Sequence, residues 1–258
     1  MFIKKLLPLL AGCLLTACAT SPTGRTQIAF MPDAELNQMG EQAFEELKAK
    51  QPISRNANYT QFVNCIASAL VQQVGGRWEV VVFEDKTLNA FALPGNKIGV
   101  YTGLIQMVDN QDQLAAVIGH EIGHVLAKHS NERISQESAL KQGLNILGAI
   151  APQSTLGQLG LSALGLGAQY GVLLPYSRTH ESEADIMGMD LMAKAGFDPR
   201  ESVNLWEKMS RASQGQQTPE FMSTHPAYAT RIQDLNNHLL KAVQLYQQSA
   251  GTRPNCNR

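Results

Sequence analysis

The stretch "HEIGHVLAKH" at residues 120–129 places three histidines and a glutamate within ten positions. Residues four apart on an α-helix lie about 40° apart around its axis, so His120 and His124 point the same way and can reach one ion. Glu121 lies about 100° further round, beside that ion. There it can take a proton from a water molecule that zinc has acidified. The stretch therefore predicts a helix that carries a hydrolytic zinc site, with one Zn²⁺ per chain.

His129 does not fit as the third ligand of this site. It is nine residues from His120, about 180° around the helix. We expect it at the end of the helix, exposed to solvent, where its charge would interact with the last carbonyls. A third ligand must then come from another element, and the candidates are His180, Glu181, Glu183, Asp185, His225 and His238. Spacing alone does not choose between His180, Glu181 and Glu183.

The rest of the chain reads as one mostly helical domain. Apolar residues recur at helical spacing after Asp33, over 58–74, after Asp109 or Asn110, and over 180–195, 199–212 and 227–248. Three segments rich in β-branched and aromatic residues, at 77–84, 89–93 and 97–102, predict a small antiparallel sheet. The fold class is therefore α+β, mostly α, with one domain over 33–258. The formal net charge of −1 and the lack of a basic block exclude nucleic acid as an expected partner.

The first 17 residues are typical of a secretory signal peptide. Two lysines precede the apolar run "LLPLLAGCLLTA" at 6–17, which is short for a membrane span. The run ends in Leu15-Thr16-Ala17-Cys18, which resembles the lipobox of bacterial lipoproteins and implies lipid on Cys18. Because residue 19 is Ala and not Asp, we expect the periplasmic face of the outer membrane of a Gram-negative bacterium. Residues 18–32, rich in turn formers, would be a lipidated tether.

This location predicts the state of the remaining cysteines. Cys65 and Cys256 form an even pair in an oxidising compartment, so we expect a disulfide between them, with two free thiols as the alternative.

The stretch from Gln142 to Ser177 contains no charged residue. We interpret it as a helical hairpin or loop over the active site, and a membrane contact is the alternative.

"HEIGH" and, about sixty residues later, "ESEAD" (181–185, ExxAD) resemble the paired signature of the gluzincin family of HtpX, the CAAX prenyl protease and the mitochondrial Oma-type peptidase. Among periplasmic members the chain is similar to the BepA and LoiP type, with agreement also at 23–27, 89–105, 176–185 and 224–232. The resemblance implies a zincin-like fold with Glu181 as the third zinc ligand. It also implies that Asp185 orients a ligand histidine and that Glu183 faces solvent.

The same resemblance implies how substrate is held. Asn89, Ala90, Phe91 and Ala92 would be an edge strand on which an extended substrate pairs its backbone. Arg178 and His225 would polarise the scissile carbonyl or stabilise its oxyanion. Alternatively, His225 occupies the fourth position of zinc and holds the site closed, or the His225-Pro226 pair is simply a turn that enters a helix.

Together these features predict a zinc-dependent endopeptidase of the bacterial envelope. Its partners would be misfolded or stalled envelope proteins, the membrane through the lipid anchor, and the outer-membrane assembly machinery. The alternative function is a periplasmic chaperone or assembly factor whose zinc is structural or regulatory.

Overall fold

The computed structural model describes residues 18–150, 176–213, 220–226, 229–249 and 253–258. The elements there are, in chain order, β1 (Cys18–Thr20), β2 (Thr26–Ile28), α1 (Asp33–Lys50), α2 (Ala57–Val71), β3 (Glu79–Phe83), β4 (Ala90–Leu93), β5 (Lys97–Tyr101), α3 (Thr102–Met107), α4 (Gln111–Leu126), α5 (His129–Ile150), α6 (Arg178–Lys194), α7 (Arg200–Ser213), α8 (Glu220–Thr224) and α9 (Ala229–Gln248). The predicted fold class, α+β and mostly helical, is confirmed.

The chain divides into two compact units. Among the described residues, the first is formed by 18–35 and 128–150, and the second by 36–127 and the described residues from 176 onward. The predicted domain 33–258 contributes to both.

The three-stranded sheet of the second unit is mixed, and the prediction of an antiparallel sheet was wrong on this point. The strand order is β3-β5-β4, with β3 parallel to β5 and β4 antiparallel to it. All five residues of β5 are buried, so β5 is the central strand of the sheet. Its backbone groups need hydrogen-bond partners on both edges because no water reaches them. The turn at Pro94-Gly95-Asn96 joins β4 to β5 as a hairpin, with positive φ at Gly95 and Asn96. β3 therefore pairs with β5 and not with β4, which follows it in the chain.

Helix α4 forms the centre of the second unit. The side chain of Asn110 accepts a hydrogen bond from the Gln113 amide at 2.9 Å and so begins the helix where the sequence predicts. Every residue from Gln113 to His124 is buried. The helix packs against α2, α6, α7 and β4, which explains why its polar histidines and glutamate are also removed from water.

Glycines let α4 and α6 approach closely. A Cβ on Gly188 of α6 would lie 2.6 Å from the His120 amide nitrogen, and one on Gly123 of α4 would lie 2.9 Å from the Ala184 carbonyl oxygen. The glycine inside the predicted zinc helix thus has a packing function, because any side chain there would separate the two helices.

In the first unit, β1 and β2 form an antiparallel hairpin where a tether was expected. The hairpin is fixed to α5, because Arg25 donates to Glu132 at 2.9 and 2.6 Å. Downstream, the Phe30 amide donates to Ser135 Oγ at 3.0 Å. The turn-forming residues of this segment, which predicted a tether, instead form the turn of the hairpin. Gly24 lies in this turn with a φ of 89°.

The prediction for His129 was also wrong. Lys128 adopts a φ of 56°, which ends α4 and redirects the chain. His129 is consequently the first residue of the next helix, α5, and is fully buried.

The predicted disulfide between Cys65 and Cys256 is present, with a Cα–Cα distance of 5.7 Å. It fixes the C-terminal segment beside α2, and Gln111 holds the same segment by accepting a hydrogen bond from the Cys256 amide at 2.7 Å.

Two of the predicted segments lie outside the described residues: the signal peptide at 1–17 and positions 151–175 of the uncharged stretch. Within the described part of the chain, no helix is long and apolar enough to span a bilayer.

Candidate metal centre

The candidate metal centre lies within the second unit and takes its donor atoms from two helices and one turn. His120 and His124 belong to α4, Glu181 to the first turn of α6, and His225 follows α8. One donor atom from each of these four buried residues lies within 4.8 Å of the other three. The fold thus brings the two halves of the predicted site together.

The distances between donor atoms fit a tetrahedral ion. His120 Nε2 lies 3.0 Å from His124 Nε2 and 3.3 Å from His225 Nδ1. Glu181 Oε1 lies 3.1 Å from His225 Nδ1 and 3.5 Å from His124 Nε2. In a tetrahedron with zinc–ligand bonds of about 2.0–2.1 Å, neighbouring ligand atoms lie about 3.3–3.4 Å apart. The four atoms therefore enclose a space of the size that such an ion requires.

The surroundings of the two histidines on α4 also suit a metal. Burial raises the pKa of Asp185, but Arg231 outweighs it and keeps that pKa below its usual value, so the carboxylate is ionised and only accepts hydrogen bonds. His120 Nδ1, 2.8 Å from Asp185 Oδ1, therefore donates to this carboxylate, and Nε2 is the ring nitrogen that faces the other donors. Burial lowers the pKa of His124 well below its usual value, which keeps this imidazole neutral as a ligand must be.

Glu181 supplies negative charge to the site. Burial opposes its ionisation, but Arg231 and His225 outweigh that effect and hold the pKa of Glu181 well below its usual value. Its Oε2 is 2.6 Å from Arg231 Nη1 but has no well-aligned hydrogen bond among the described residues. A buried carboxylate with spare lone pairs beside three imidazoles fits a bound cation. The residues present therefore suit a divalent metal.

Glu121 lies beside this set and is not part of it. Its Oε2 accepts a hydrogen bond of 3.0 Å from the Ala92 amide on β4. Its Oε1 is buried, has no hydrogen-bond partner in the described structure, and lies 3.4 Å from His225 Nε2. Burial raises the pKa of Glu121, which brings this carboxylate closer to the range of a general base that works near neutral pH.

The contact with Ala92 orients the edge strand. The Ala92 amide donates to Glu121 and not to β5. It therefore lies on the outer edge of β4, the side that faces away from β5. Among the described strands, β4 pairs on one side alone. The predicted substrate strand thus passes beside the predicted catalytic glutamate.

Sequence reasoning missed Arg231, which is the largest fully buried side chain among the described residues. It binds Asp185 through Nε and Nη2 at 2.7 and 2.8 Å, and its Nη1 donates to the carbonyls of His225 and Pro226 at 3.3 and 3.1 Å. One signal was available: Arg231 falls on the same stripe of α9 as the buried Leu235. An arginine on the apolar stripe of an amphipathic helix predicts a buried ion pair.

Other candidate residues lie elsewhere. Arg178 is the exposed first residue of α6, and its role at the scissile carbonyl stays a prediction. The expectation that Glu183 faces solvent was wrong, because α6 packs against both α4 and α9 and the residue is buried. His180 is buried but does not belong to the donor set, and His238 pairs with Asp190 at 2.6 Å.

A buried HExxH helix that shares a metal-sized donor set with a carboxylate from a second helix defines a metallopeptidase. The chain belongs to peptidase family M48, whose family model matches residues 54–239. The predicted gluzincin resemblance is thereby confirmed.

Curated relatives agree with this assignment. The chain is 40% identical to the mitochondrial metalloendopeptidase OMA1 of Schizosaccharomyces pombe over 168 residues, which are 64% of this chain and 48% of the relative. It is 35% identical to OMA1 of Saccharomyces cerevisiae over 189 residues, 68% of this chain and 51% of the relative. It is also 28% identical to the beta-barrel assembly-enhancing protease of Escherichia coli K12 over 222 residues, 83% of this chain and 45% of the relative. The chain thus spans about half the length of the curated relatives it matches.

Proposed function

We propose that the chain is a zinc-dependent endopeptidase of the bacterial cell envelope. The observation that carries this proposal is the buried set of His120, His124 and Glu181 with the spare oxygen of Glu121 beside it. Three protein ligands of this kind, with a glutamate adjacent, are typical of catalytic zinc sites that hydrolyse peptides. A divalent ion there supplies Lewis-acid chemistry, since it acidifies water and polarises a carbonyl.

Glu121 is the proposed general base. Its Oε2 is held by the Ala92 amide, so its Oε1 is the oxygen that is left to accept a proton from the attacking water. The same oxygen then returns that proton to the leaving amine. An extended substrate would pair with the outer edge of β4, which places its backbone beside this carboxylate.

His225 would regulate access to the site. Its Nδ1 lies within the tetrahedral set, at 3.3 Å from His120 Nε2 and 3.1 Å from Glu181 Oε1. A catalytic zinc keeps its fourth position for water or substrate. We infer that His225 closes this position in the resting protein and must leave it before a peptide can bind.

The proposed substrates are misfolded or stalled envelope proteins, and the proposed location is the periplasmic face of the outer membrane. The lipobox at Cys18 supports the location, and the Cys65–Cys256 disulfide is in keeping with an oxidising compartment. The relative named beta-barrel assembly-enhancing protease supports an interaction with outer-membrane assembly machinery.

A second candidate function follows from the same four donors. A zinc with four protein ligands is usually structural, and the donor set reaches four when His225 is included. A chaperone or assembly factor with a structural or regulatory zinc would have this geometry at all times.

Glu121→Gln separates the two functions. We expect the variant to retain zinc, because Glu121 is not among the donors. Its rate of casein cleavage should fall at least about 100-fold, because the general base is absent. Metal content by mass spectrometry and a fluorescent casein assay measure the two quantities.

Glu207→Gln is the matched control. It makes the same chemical change at a half-buried glutamate on α7 that lies outside the donor set, and it should retain both zinc and activity. Wild-type cleavage by Glu121→Gln would remove Glu121 from the mechanism, and a wild type that binds zinc without cleaving any substrate would favour the chaperone.

A further inference from the structure

Two aromatic rings stack on the imidazole of His225. The Phe221 ring lies 4.4 Å from it, centroid to centroid, at an interplanar angle of 22°, and the Tyr176 ring lies 5.3 Å from it at 29°. Tyr176 also contacts His124, with ring centroids 4.0 Å apart. Such ring pairs attract each other beyond what their burial supplies.

Backbone hydrogen bonds hold the same residues together. The His225 amide donates to the Phe221 carbonyl at 2.8 Å, and the Tyr176 amide donates to the Thr224 carbonyl at 3.0 Å. The chain entering α6 is therefore joined directly to the turn that carries His225.

The two rings differ in burial. Phe221 is fully buried and packs against Trp206, with ring centroids 5.7 Å apart, so it is part of the core. Tyr176 is half-buried and thus reaches solvent. Of the two rings on His225, Tyr176 is the one that can move without opening a cavity in the core.

We propose that Tyr176 is a positioning residue that keeps His225 in the fourth position of the metal site and thereby sets how often that position opens. The inference rests on the proposed function and deepens it. A ligand that needs the open position binds with an apparent affinity reduced by the fraction of molecules that are open. Removal of the Tyr176 ring raises that fraction, so such a ligand binds more tightly.

The test measures ligand binding to the cobalt-substituted protein. Acetohydroxamate is titrated into the Co²⁺ form, and the visible absorption bands of the metal report its binding. Tyr176→Ala should bind acetohydroxamate roughly threefold to tenfold more tightly than wild type, as expected for the loss of one ring contact. Tyr176→Phe keeps the ring and should restore the wild-type affinity.

A double-mutant comparison shows whether Tyr176 acts through His225. In the His225→Ala background, Tyr176→Ala should change the acetohydroxamate affinity no further, because the side chain that it holds is already absent. Tyr59→Ala, which removes another half-buried tyrosine from α2, is the control and should bind as wild type does.

Two results would overturn the proposal: unchanged affinity in Tyr176→Ala, or an equal gain with and without His225. If Tyr176→Ala does not fold, Tyr176→Leu fills the space without a ring and is read in the same way. The absorption spectrum reports ligand binding and does not depend on proteolysis. If the variants show the expected affinities but the protein cleaves no peptide, the peptidase function is contradicted and the role of Tyr176 is still supported.

Discussion

At the residue scale, Arg231 shows how the fold stabilises negative charge inside its core. One guanidinium, 2% exposed, faces the carboxylates of Glu181 and Asp185 and lies 3.9 Å from the Trp206 ring centroid. Burial disfavours its charge, yet Asp185 and Glu181 outweigh that effect and raise the pKa of Arg231. The planar fork of arginine suits this bidentate contact with Asp185, and a lysine would not reproduce it.

Arg231→Met should therefore destabilise the metal-free protein by about 3–5 kcal/mol, because two buried carboxylates lose their cation. Urea unfolding in the presence of a chelator, followed by circular dichroism, measures the free energy of unfolding. Arg211→Met is the control: its ion pair with Glu207 is exposed, so its loss should cost at most about 0.5 kcal/mol. A loss below about 1 kcal/mol in Arg231→Met would show that the buried pair contributes little.

At the scale of elements, the contact between α4 and α6 sets the geometry of the metal site. The two helices carry His120, His124, Glu181 and Asp185, and they meet where glycines remove the side chains between them. The distance between the helices thus fixes the distance between the donor atoms.

Gly188→Ala tests this dependence. Alanine favours an isolated helix by about 1 kcal/mol over glycine, but here the new methyl group meets the backbone of Gly119 and His120, which cannot rotate away. We expect a net loss of about 1–3 kcal/mol in stability and weaker zinc binding. Thermal unfolding and competition with a zinc chelator measure both quantities.

Lys194→Ala, at an exposed position of the same helix, is the comparison and should change neither quantity by much. A Gly188→Ala protein that is as stable as wild type and binds zinc equally well would show that the helices can separate without effect on the site.

The same elements show what the sequence could predict. Helix α4 was predictable because its apolar positions recur at helical spacing and Asn110 caps it. The partner of its histidines depends on a contact between helices some sixty residues apart in sequence, which local spacing does not encode, so a family resemblance was needed to select Glu181. The pairing of β3 with β5 was missed for the same reason. The burial of His129 at the start of α5 was missed because no local sequence signal predicts the positive φ of Lys128.

At the scale of the whole molecule, the proposed membrane anchor is part of a folded element. Cys18 is the first residue of β1 and pairs with Ile28 of β2, and the hairpin is fixed to α5 by the pair of Arg25 and Glu132. Lipid on Cys18 would therefore be attached to the first unit without an intervening flexible linker.

Cys18→Ser should release the protein from the membrane, because the acyl chains contribute about 0.8 kcal/mol for each buried CH₂ group. Fractionation of cells that produce each form, with an antibody against the protein, measures the distribution. Wild type should sediment with the outer membrane and the variant should not. Equal sedimentation of the two forms would show that the protein is held there by something other than lipid on Cys18.

The disulfide has a practical consequence for any study of cleavage. Cys65 and Cys256 close a ring of chain that contains His120, His124, Glu181, His225 and Arg231. A single peptide bond broken anywhere inside this ring, by the protein itself or by another protease, leaves two fragments that remain covalently joined. Such a nicked protein keeps the electrophoretic mass of an intact chain until a reductant is added. Self-processing would therefore go unseen on a non-reducing gel, and reduced and unreduced samples have to be compared side by side.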